Sequence, residues 1–496
     1  MVVAVAHDGL SDSRAQTVCL SCKERKQKCD RSLPSCTRCE RLLLKCRYPE
    51  PRVYSSRTTS SGSESVSCPS PVIDRDQALA NDLRLVFDGS QSGLPQLGDL
   101  VSKHREQFEA MADVFLSSCQ KWVPIIHRHT FREHCKAPQT ELPQGFLALI
   151  LSMGLMTRPL MDGDRPDSLR ESMYVAARRL FWDVESVAQP TLALIQCGLL
   201  LSAYEYGQGL LNASYVTICV CSSMAQISGL CPTQHPPSLP LPGPWAPQDE
   251  GLRTWWGILI HERMISLKSG VPIRPLGISD SEVMEGVDVE AESRFIVSNI
   301  DLDPLYASFY LQARAATWLE LVLDVTRSPQ TRSSEGRLRF QNLDRGLLLF
   351  LMTLVQLGLG SCCEAIAISL SAFIHLHRWR LTCDSPFFSQ QDYLESSRAI
   401  ETILKVLSDL AQHRAESAIS GEDNELDAEQ FPYFIHMIYQ LLIEMRQQPR
   451  LQYRPATDTV PSHAFEKEMS LLYGILLKQT DRWQISREYL AMLDGG

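Results

Sequence analysis

Six of the sixteen cysteines fall within residues 19–46, where one spacing occurs twice. The motif Cys-x2-Cys-x6-Cys repeats after 17 residues, first as Cys19, Cys22 and Cys29 and then as Cys36, Cys39 and Cys46. In Cys-x2-Cys both thiolates lie on one turn of backbone and can reach the same zinc ion at about 2.3 Å. The first residues resemble no secretory signal, so the cysteines are interpreted as intracellular metal ligands rather than as disulfides.

The number of cysteines favours two zinc ions. One tetrahedral zinc takes four thiolates and would leave two cysteines unused, although the repeat treats both halves alike. Two zinc ions need eight ligand positions from six sulphurs, so two cysteines must bridge. The first cysteine of each half, Cys19 and Cys36, is the symmetric choice. Zinc would also supply folding energy, because a module of this size has little core of its own.

This short segment carries a charge opposite to that of the rest of the chain. Residues 19–47 hold nine Lys or Arg and three Asp or Glu, a net charge of +6, which leaves −16 for the remainder of a chain whose formal net charge is −10. A small basic module on an acidic body is typical of a polyanion-binding head with a separate surface for partners.

The two halves of the module differ where they would meet nucleic acid. The first half has Arg25 and Lys26 where the second has Leu42 and Leu43. The first half is therefore expected to contact DNA, since Lys and Arg donate to guanine edges or neutralise phosphates, and the second to pack against the module or its neighbours. The alternative is a structural zinc knot with a solvated basic face.

Residues 19–46 closely resemble the DNA-binding head of the fungal Zn₂Cys₆ binuclear zinc cluster transcription factors, including Pro34 before the fourth cysteine. The resemblance implies that the first and fourth cysteines bridge two zinc ions. One zinc would then bind Cys19, Cys22, Cys29 and Cys36, and the other Cys19, Cys36, Cys39 and Cys46. It also implies that the head reads CGG-type triplets in double-stranded DNA. The expected contacts are Arg25 and Lys26 to bases, and Lys23 and Lys28 to phosphates.

The rest of the chain is predicted to be an all-α body. Helical periodicity is expected in these ranges: 144–156, 167–184, 191–206, 214–229, 251–268, 304–325, 345–379 and 397–412. The apolar run 347–363 is interpreted as part of a buried helix rather than as a membrane span. Residues 123–131, 202–207, 224–230 and 253–272 resemble the middle homology region of the same family, which is helical and regulatory.

Composition suggests five segments. Residues 1–17 are expected to be disordered, 18–47 to form the zinc head, 48–96 a flexible Ser/Pro-rich linker, 97–385 the helical regulatory domain and 386–496 a helical, acidic C-terminal region. The apolar stripe from Leu97 to Phe115 is interpreted as the first helix of the body, with a dimerising coiled coil as the alternative. Residues 416–439 and 483–493 could serve as an activation segment or form ordered surface helices.

Other candidate sites are weaker. His127, His129 and His134 are interpreted as structural, Trp255 and Trp256 as core residues, and the start of a zincin motif at His261 lacks its second histidine. The sequence offers no convincing catalytic constellation, so no enzyme is expected.

The combined expectation is a nuclear, zinc-dependent, sequence-specific regulator of transcription by RNA polymerase II. The expected role is a pathway-specific activator, for example of a secondary-metabolite gene cluster. The alternatives are a ligand-sensing regulator of a primary or catabolic pathway, a repressor, or a zinc-storage protein. The expected partners are DNA, a second copy of the chain, the transcription machinery and a small-molecule effector, without a membrane.

Overall fold

The computed structural model describes two compact units, Met1–Cys68 and Pro69–Gly496. The described residues are 18–19, 22–23, 27–32, 35–42, 46, 71–88, 94–136, 144–162, 165–183, 189–231, 239, 245–272, 304–328, 333–357, 359–383, 385, 387–420, 432–447 and 466–495. In the first unit, called the head, the described residues include a short helix, α1 (Thr37–Arg41), and a group of buried cysteines. Cys22 and Lys23 are also helical. The second unit, called the body, is built from helices, as the sequence predicts.

The first part of the body contains nine described helices: α2 (Pro71–Asp88), α3 (Leu94–Lys103), α4 (Arg105–Ser117), α5 (Arg128–Lys136), α6 (Gln144–Thr157), α7 (Ser168–Trp182), α8 (Leu192–Gly207), α9 (Leu211–Ile227) and α10 (Glu250–Ser269). A two-residue antiparallel ladder between β1 (Met161–Asp162) and β2 (Arg165–Pro166) joins α6 to α7. Seven further helices follow: α11 (Pro304–Arg327), α12 (Ser334–Gln356), α13 (Leu359–Thr382), α14 (Gln390–Ser420), α15 (Pro432–Gln447), α16 (Glu466–Lys478) and α17 (Gln484–Asp494).

Local sequence sets several helix boundaries. The side chain of Asp167 caps α7 by accepting from the N–H groups of Leu169 and Arg170. Thr191 and Ser333 cap α8 and α12 in the same way, and α10 ends at Gly270 with a positive φ of 69°. These are the residue types that satisfy the free N–H groups at a helix start, or permit the left-handed turn at its end.

One continuous apolar core holds the body together. Every residue of α6 from Gly145 to Met156 is buried, and α6 packs against α4, α7 and α8. Helix α8 continues the core to α9 and α10, while α11 and α13 form the most extensive helix pair of the second part. Trp255 and Trp256 are both buried in this core, as predicted.

The predicted flexible linker over 48–96 is wrong for its second half. Residues 71–88 form α2, which packs against α7 through the buried side chains of Leu79, Leu83 and Phe87. The linker prediction rests on the Ser- and Pro-rich composition of residues 48–72. The apolar residues that follow have helical spacing, which composition alone does not reveal. Residues 1–17 and 48–70 lie outside the described part of the chain.

The apolar stripe from Leu97 to Phe115 is divided between α3 and α4. His104 lies at the junction, with Nε2 2.6 Å from Oδ2 of Asp82 and Nδ1 2.7 Å from Oε1 of Gln107. Phe108 and Phe115 are buried within the body core, so the stripe serves the body rather than a coiled coil.

The single helix expected over 345–379 is two helices, α12 and α13. The sequence places Gly358 and Gly360 at the junction, and glycine disfavours the interior of a helix. Among the described helices, none combines the length and apolar character that a membrane span requires.

The C-terminal region is continuous with the body, which shows no separate compact unit after residue 385. In α15 the side chains of Ile435, Ile438 and Leu441 are buried, and Trp483 and Tyr489 are buried at and within α17. Residues 432–439 and 484–493 of the two candidate activation segments therefore lie in packed helices, and residues 421–431 lie outside the described part of the chain.

Candidate metal centre and nucleic-acid interface

Four cysteines of the head form a compact, buried group of thiols. The Sγ atoms of Cys19, Cys22, Cys36 and Cys39 all lie within 4.8 Å of one another. Cys19 Sγ lies 3.8 Å from Cys36 Sγ and 3.7 Å from Cys39 Sγ. Cys22 Sγ lies 3.8 and 3.9 Å from the same two atoms. Four sulphurs placed tetrahedrally at about 2.3 Å from zinc would be roughly 3.8 Å apart, so these four thiols could hold one zinc ion. This group joins Cys22 and Cys39, which the resemblance assigns to two different ions.

The backbone of the head repeats along with its sequence. The N–H of Lys23 donates to the carbonyl of Cys19 at 3.0 Å, and 17 residues later the N–H of Glu40 donates to that of Cys36 at 3.0 Å. Cys36 also caps α1, because its Sγ accepts from the N–H of Cys39. Each Cys-x2-Cys pair therefore starts a helical turn that presents two sulphurs to the same side.

Cys29 and Cys46 complete the predicted set of six. Both are half-buried and pack against the four-thiol group. The thiol of each interacts with those of both Cys19 and Cys36. All six predicted ligands are therefore brought together, and Cys19 and Cys36 are the two thiols that the outer pair share.

Burial controls the ionisation of these thiols. It raises the pKa of Cys36 to about 12 and also raises the pKa values of Cys19 and Cys39 above their ordinary range. Burial also opposes ionisation of Cys46, but the N–H of Cys36 and the side chain of Ser35 donate to its sulphur and lower its pKa to about 7. Because zinc binds thiolates, metal binding at most of these sites must release protons.

Asp30 is a structural residue of the head that sequence reasoning missed. One of its carboxylate oxygens accepts hydrogen bonds from Thr37 Oγ1 at 2.5 Å and Ser32 Oγ at 2.7 Å, and the other accepts from the N–H of Thr37 at 3.1 Å. The bonds from Thr37 and Ser32 lower the pKa of Asp30 to about 2. The carboxylate thus ties the loop after Cys29 to the start of α1.

The predicted DNA-contacting residues are only partly described. Lys23 and Lys28 are exposed, and each is adjacent in sequence to a cysteine of the sulphur group. Arg25 and Lys26 lie outside the described residues. Leu42 is 47% exposed, so the expected packing of this side chain within the head is not found.

The three histidines near residue 130 do not assemble a site in the described part of the chain. His127 Nδ1 lies 2.7 Å from the Thr130 hydroxyl, and His134 Nδ1 donates to the Thr130 carbonyl. The groups of described residues that could hold a metal include none of these histidines. His127 and His134 are hydrogen-bonded within α5 and its start, as the structural interpretation predicts.

Comparison with known proteins gives two family matches. Residues 17–55 match the fungal Zn(2)-Cys(6) binuclear cluster domain, and residues 112–284 match the fungal specific transcription factor domain. The first match contains all six cysteines, and the second contains α5 to α10 complete.

Two curated proteins are similar over short stretches. "Regulator of drug sensitivity 1" from Saccharomyces cerevisiae is 39% identical over 51 residues, 10% of this chain and 6% of that protein. "Transcription factor FUP7" from Fusarium proliferatum is 45% identical over 40 residues, 8% of this chain and 16% of that protein. This chain thus spans only a small fraction of either relative, and no solved structure matches it significantly. The chain therefore carries the two domains that the sequence predicts, a fungal Zn(2)-Cys(6) binuclear cluster domain and a fungal specific transcription factor domain.

Proposed function

We propose that the chain is a zinc-dependent, sequence-specific DNA-binding regulator of transcription by RNA polymerase II that acts in the nucleus. The observation that carries this proposal is the buried sulphur group of the head with exposed lysines beside its ligands. Metal-held modules of this size fold when zinc binds, and the surrounding Lys and Arg side chains then face phosphates and base edges. The match to a fungal transcription factor domain in the body supports the same role.

The head holds two zinc ions in this proposal, with Cys19 and Cys36 bridging them. The sharing of these two thiols by Cys29 and Cys46 supports the assignment. One zinc takes Cys22 and Cys29, the other takes Cys39 and Cys46, and both take the bridging pair.

Native mass spectrometry of single-cysteine variants tests this arrangement. The wild-type chain should carry two zinc ions. Cys36→Ala removes a ligand of both ions and should leave the head unfolded without zinc, whereas Cys46→Ala affects one site. Cys135→Ala, in the body, is the matched control and should keep both ions. A folded head with one zinc in Cys36→Ala would refute the bridging role.

The head reads CGG-type half-sites through Arg25 and Lys26, while Lys23 and Lys28 bind phosphates. Arg is suited to guanine because it can donate to O6 and N7 together. Phosphate contacts make the affinity for DNA fall steeply as the salt concentration rises. Each contact adds about −0.9 to the slope of the logarithm of affinity against the logarithm of salt concentration.

Gel-shift titrations of the full chain with a CGG duplex and a scrambled duplex separate the two kinds of contact. Arg25→Ala should lose about 1–3 kcal/mol of preference for the CGG duplex. Lys23→Ala should weaken both duplexes equally and reduce the salt slope by about 1. Equal loss on both duplexes in Arg25→Ala would make Arg25 a phosphate contact, and a zinc-loaded head indifferent to DNA would support the zinc-storage alternative.

In this proposal the body regulates DNA binding by the head. The protein binds DNA as a homodimer and recruits the transcription machinery. It acts as a pathway-specific activator of one gene set, such as a secondary-metabolite cluster. Genome-wide occupancy of the tagged protein in its host tests this. Paired CGG triplets beside one contiguous gene set support it. Scattered CGG peaks would favour a regulator of a primary or catabolic pathway that responds to a small-molecule effector. Expression that rises on deletion of the gene would identify a repressor.

A further inference from the structure

A cleft opens in the body along the seam between α2 and α7. It has a volume of about 280 Å³ and is lined by Leu83, Arg84, Phe87, Glu171, Ser172 and Val175. Sites for drug-sized ligands have volumes of about 300–1,000 Å³. The cleft lies just below this range, so it suits a smaller molecule.

Contacts between the two helices bound this cleft at both ends. At one end the Ser168 hydroxyl donates to Gln77 Oε1, and Arg84 Nη2 donates to the Ser168 carbonyl at 3.4 Å. At the other end the Arg179 guanidinium donates to the carbonyl of Phe87. The opening between these bridges is therefore held by the fold of the body.

Two opposite charges face the cleft without neutralising each other. Within the described part of the chain, the Arg84 guanidinium donates only to the Ser168 carbonyl, and the Glu171 carboxylate forms no ion pair or side-chain hydrogen bond. A guanidinium and a carboxylate within 4.0 Å of each other would form an ion pair, so the two charges are spaced further apart. Such a gap between opposite charges suits a ligand that carries both charges itself.

Val175 is the exposed apolar side chain of the lining, at 43% exposure. Leu83 and Phe87 also border the cleft but are buried, so they present little surface to it. The Ser172 hydroxyl is already bonded to the Ser168 carbonyl at 2.8 Å, so it does not require a ligand. The lining thus combines one cation, one anion and one exposed apolar side chain.

We propose that this cleft binds a free α-amino acid with an apolar side chain. Arg84 binds the carboxylate, Glu171 binds the ammonium group, and the apolar side chain of the ligand lies against Val175. The proposal gives a place and a ligand class to the effector named above. It is tested without DNA, so either proposal can fail alone.

Calorimetric titration of the full zinc-loaded chain tests the proposal with three probes of one carbon skeleton. L-leucine carries both charges, 4-methylpentanoate lacks the amine, and 3-methylbutylamine lacks the carboxylate. We expect saturable binding of L-leucine with Kd of about 1 mM or tighter, and at least about tenfold weaker binding of the two analogues.

Variants assign each charge to its partner. In Glu171→Gln the ratio of the affinity for L-leucine to the affinity for 4-methylpentanoate should fall towards one. In Arg84→Gln the ratio of the affinity for L-leucine to the affinity for 3-methylbutylamine should fall towards one. Arg75→Gln is the matched control, because Arg75 is an exposed arginine of the same helix that does not line the cleft. Glu171 is exposed, so Glu171→Gln keeps the test valid even if Arg84→Gln fails to fold. The proposal is overturned if L-leucine does not bind, if the analogues bind equally well, or if Glu171→Gln leaves the preference unchanged.

Discussion

Gly198 in α8 has no space for a side chain. A Cβ there would lie 2.5 Å from Cε2 of Phe181 and 3.1 Å from the Cβ of Cys221. Phe181 is fully buried, so its ring cannot move aside cheaply. We expect Gly198→Ala to lower the free energy of unfolding by about 1–3 kcal/mol in denaturant titrations.

Gly474 provides the matched control. It lies within α16, and a Cβ there would meet nothing within 4 Å. Gly474→Ala should therefore stabilise the body by up to about 1 kcal/mol, because alanine favours a helix. Equal stability of the two variants would show that the core around Phe181 can adapt.

Glu364 makes the body sensitive to pH. Its carboxyl is buried, and within the described part of the chain Oε1 has no hydrogen-bond partner. Burial raises its pKa from 4.5 to about 7. The folded chain therefore keeps the proton between pH 4.5 and 7 while the unfolded chain releases it, so the contribution of Glu364 to stability is full below pH 4.5 and is lost as the pH rises through 7.

Glu364→Gln removes this titration. The variant and the wild type should be equally stable near pH 4.5, and the variant should be more stable above pH 7, by on the order of 1–3 kcal/mol. The difference between the two melting curves across this range is the measurement. A constant difference at all pH values would show that the pKa of Glu364 is the same in the folded and the unfolded chain.

At the scale of elements, α2 is the first described helix of the body. Leu83 is fully buried and Leu85, two positions on, is 75% exposed. Leu83→Ala should destabilise the body by about 2–5 kcal/mol, whereas Leu85→Ala should change it by less than about 0.5 kcal/mol. If both substitutions had equal, small effects, residues 71–88 would belong to the flexible linker that composition suggests.

The same helices show what sequence can and cannot predict. The cysteine spacing predicted all six residues of the sulphur group, because metal ligands constrain type and spacing at once. Boundaries such as Leu192–Gly207 were predicted to within a residue where a cap and a strong apolar pattern coincide. The start of the body is misplaced because the Ser- and Pro-rich composition before α2 outweighs the helical apolar spacing within it. Arg84 and Glu171 share a cleft only through the tertiary fold, which sequence reasoning does not give.

At the scale of the whole molecule, the zinc ligands and the body core are separate. The described thiols that could hold a metal belong to the head, and the apolar core of the body forms its own cluster. A chelator should therefore abolish zinc binding and the affinity for DNA, while the main thermal transition of the body is retained in calorimetry. A fall in that transition on zinc removal would show that the metal also supports the body.

The head and the body can be followed by two different optical signals, because the tryptophans all lie in the body. All eight tryptophans lie between residues 122 and 483, and several of them, such as Trp256, Trp318 and Trp483, are almost completely buried. Tryptophan fluorescence, excited selectively, therefore reports on the body alone. Cobalt in place of zinc would give visible thiolate absorption from the head alone. One sample in one cuvette could then follow the unfolding of both units side by side.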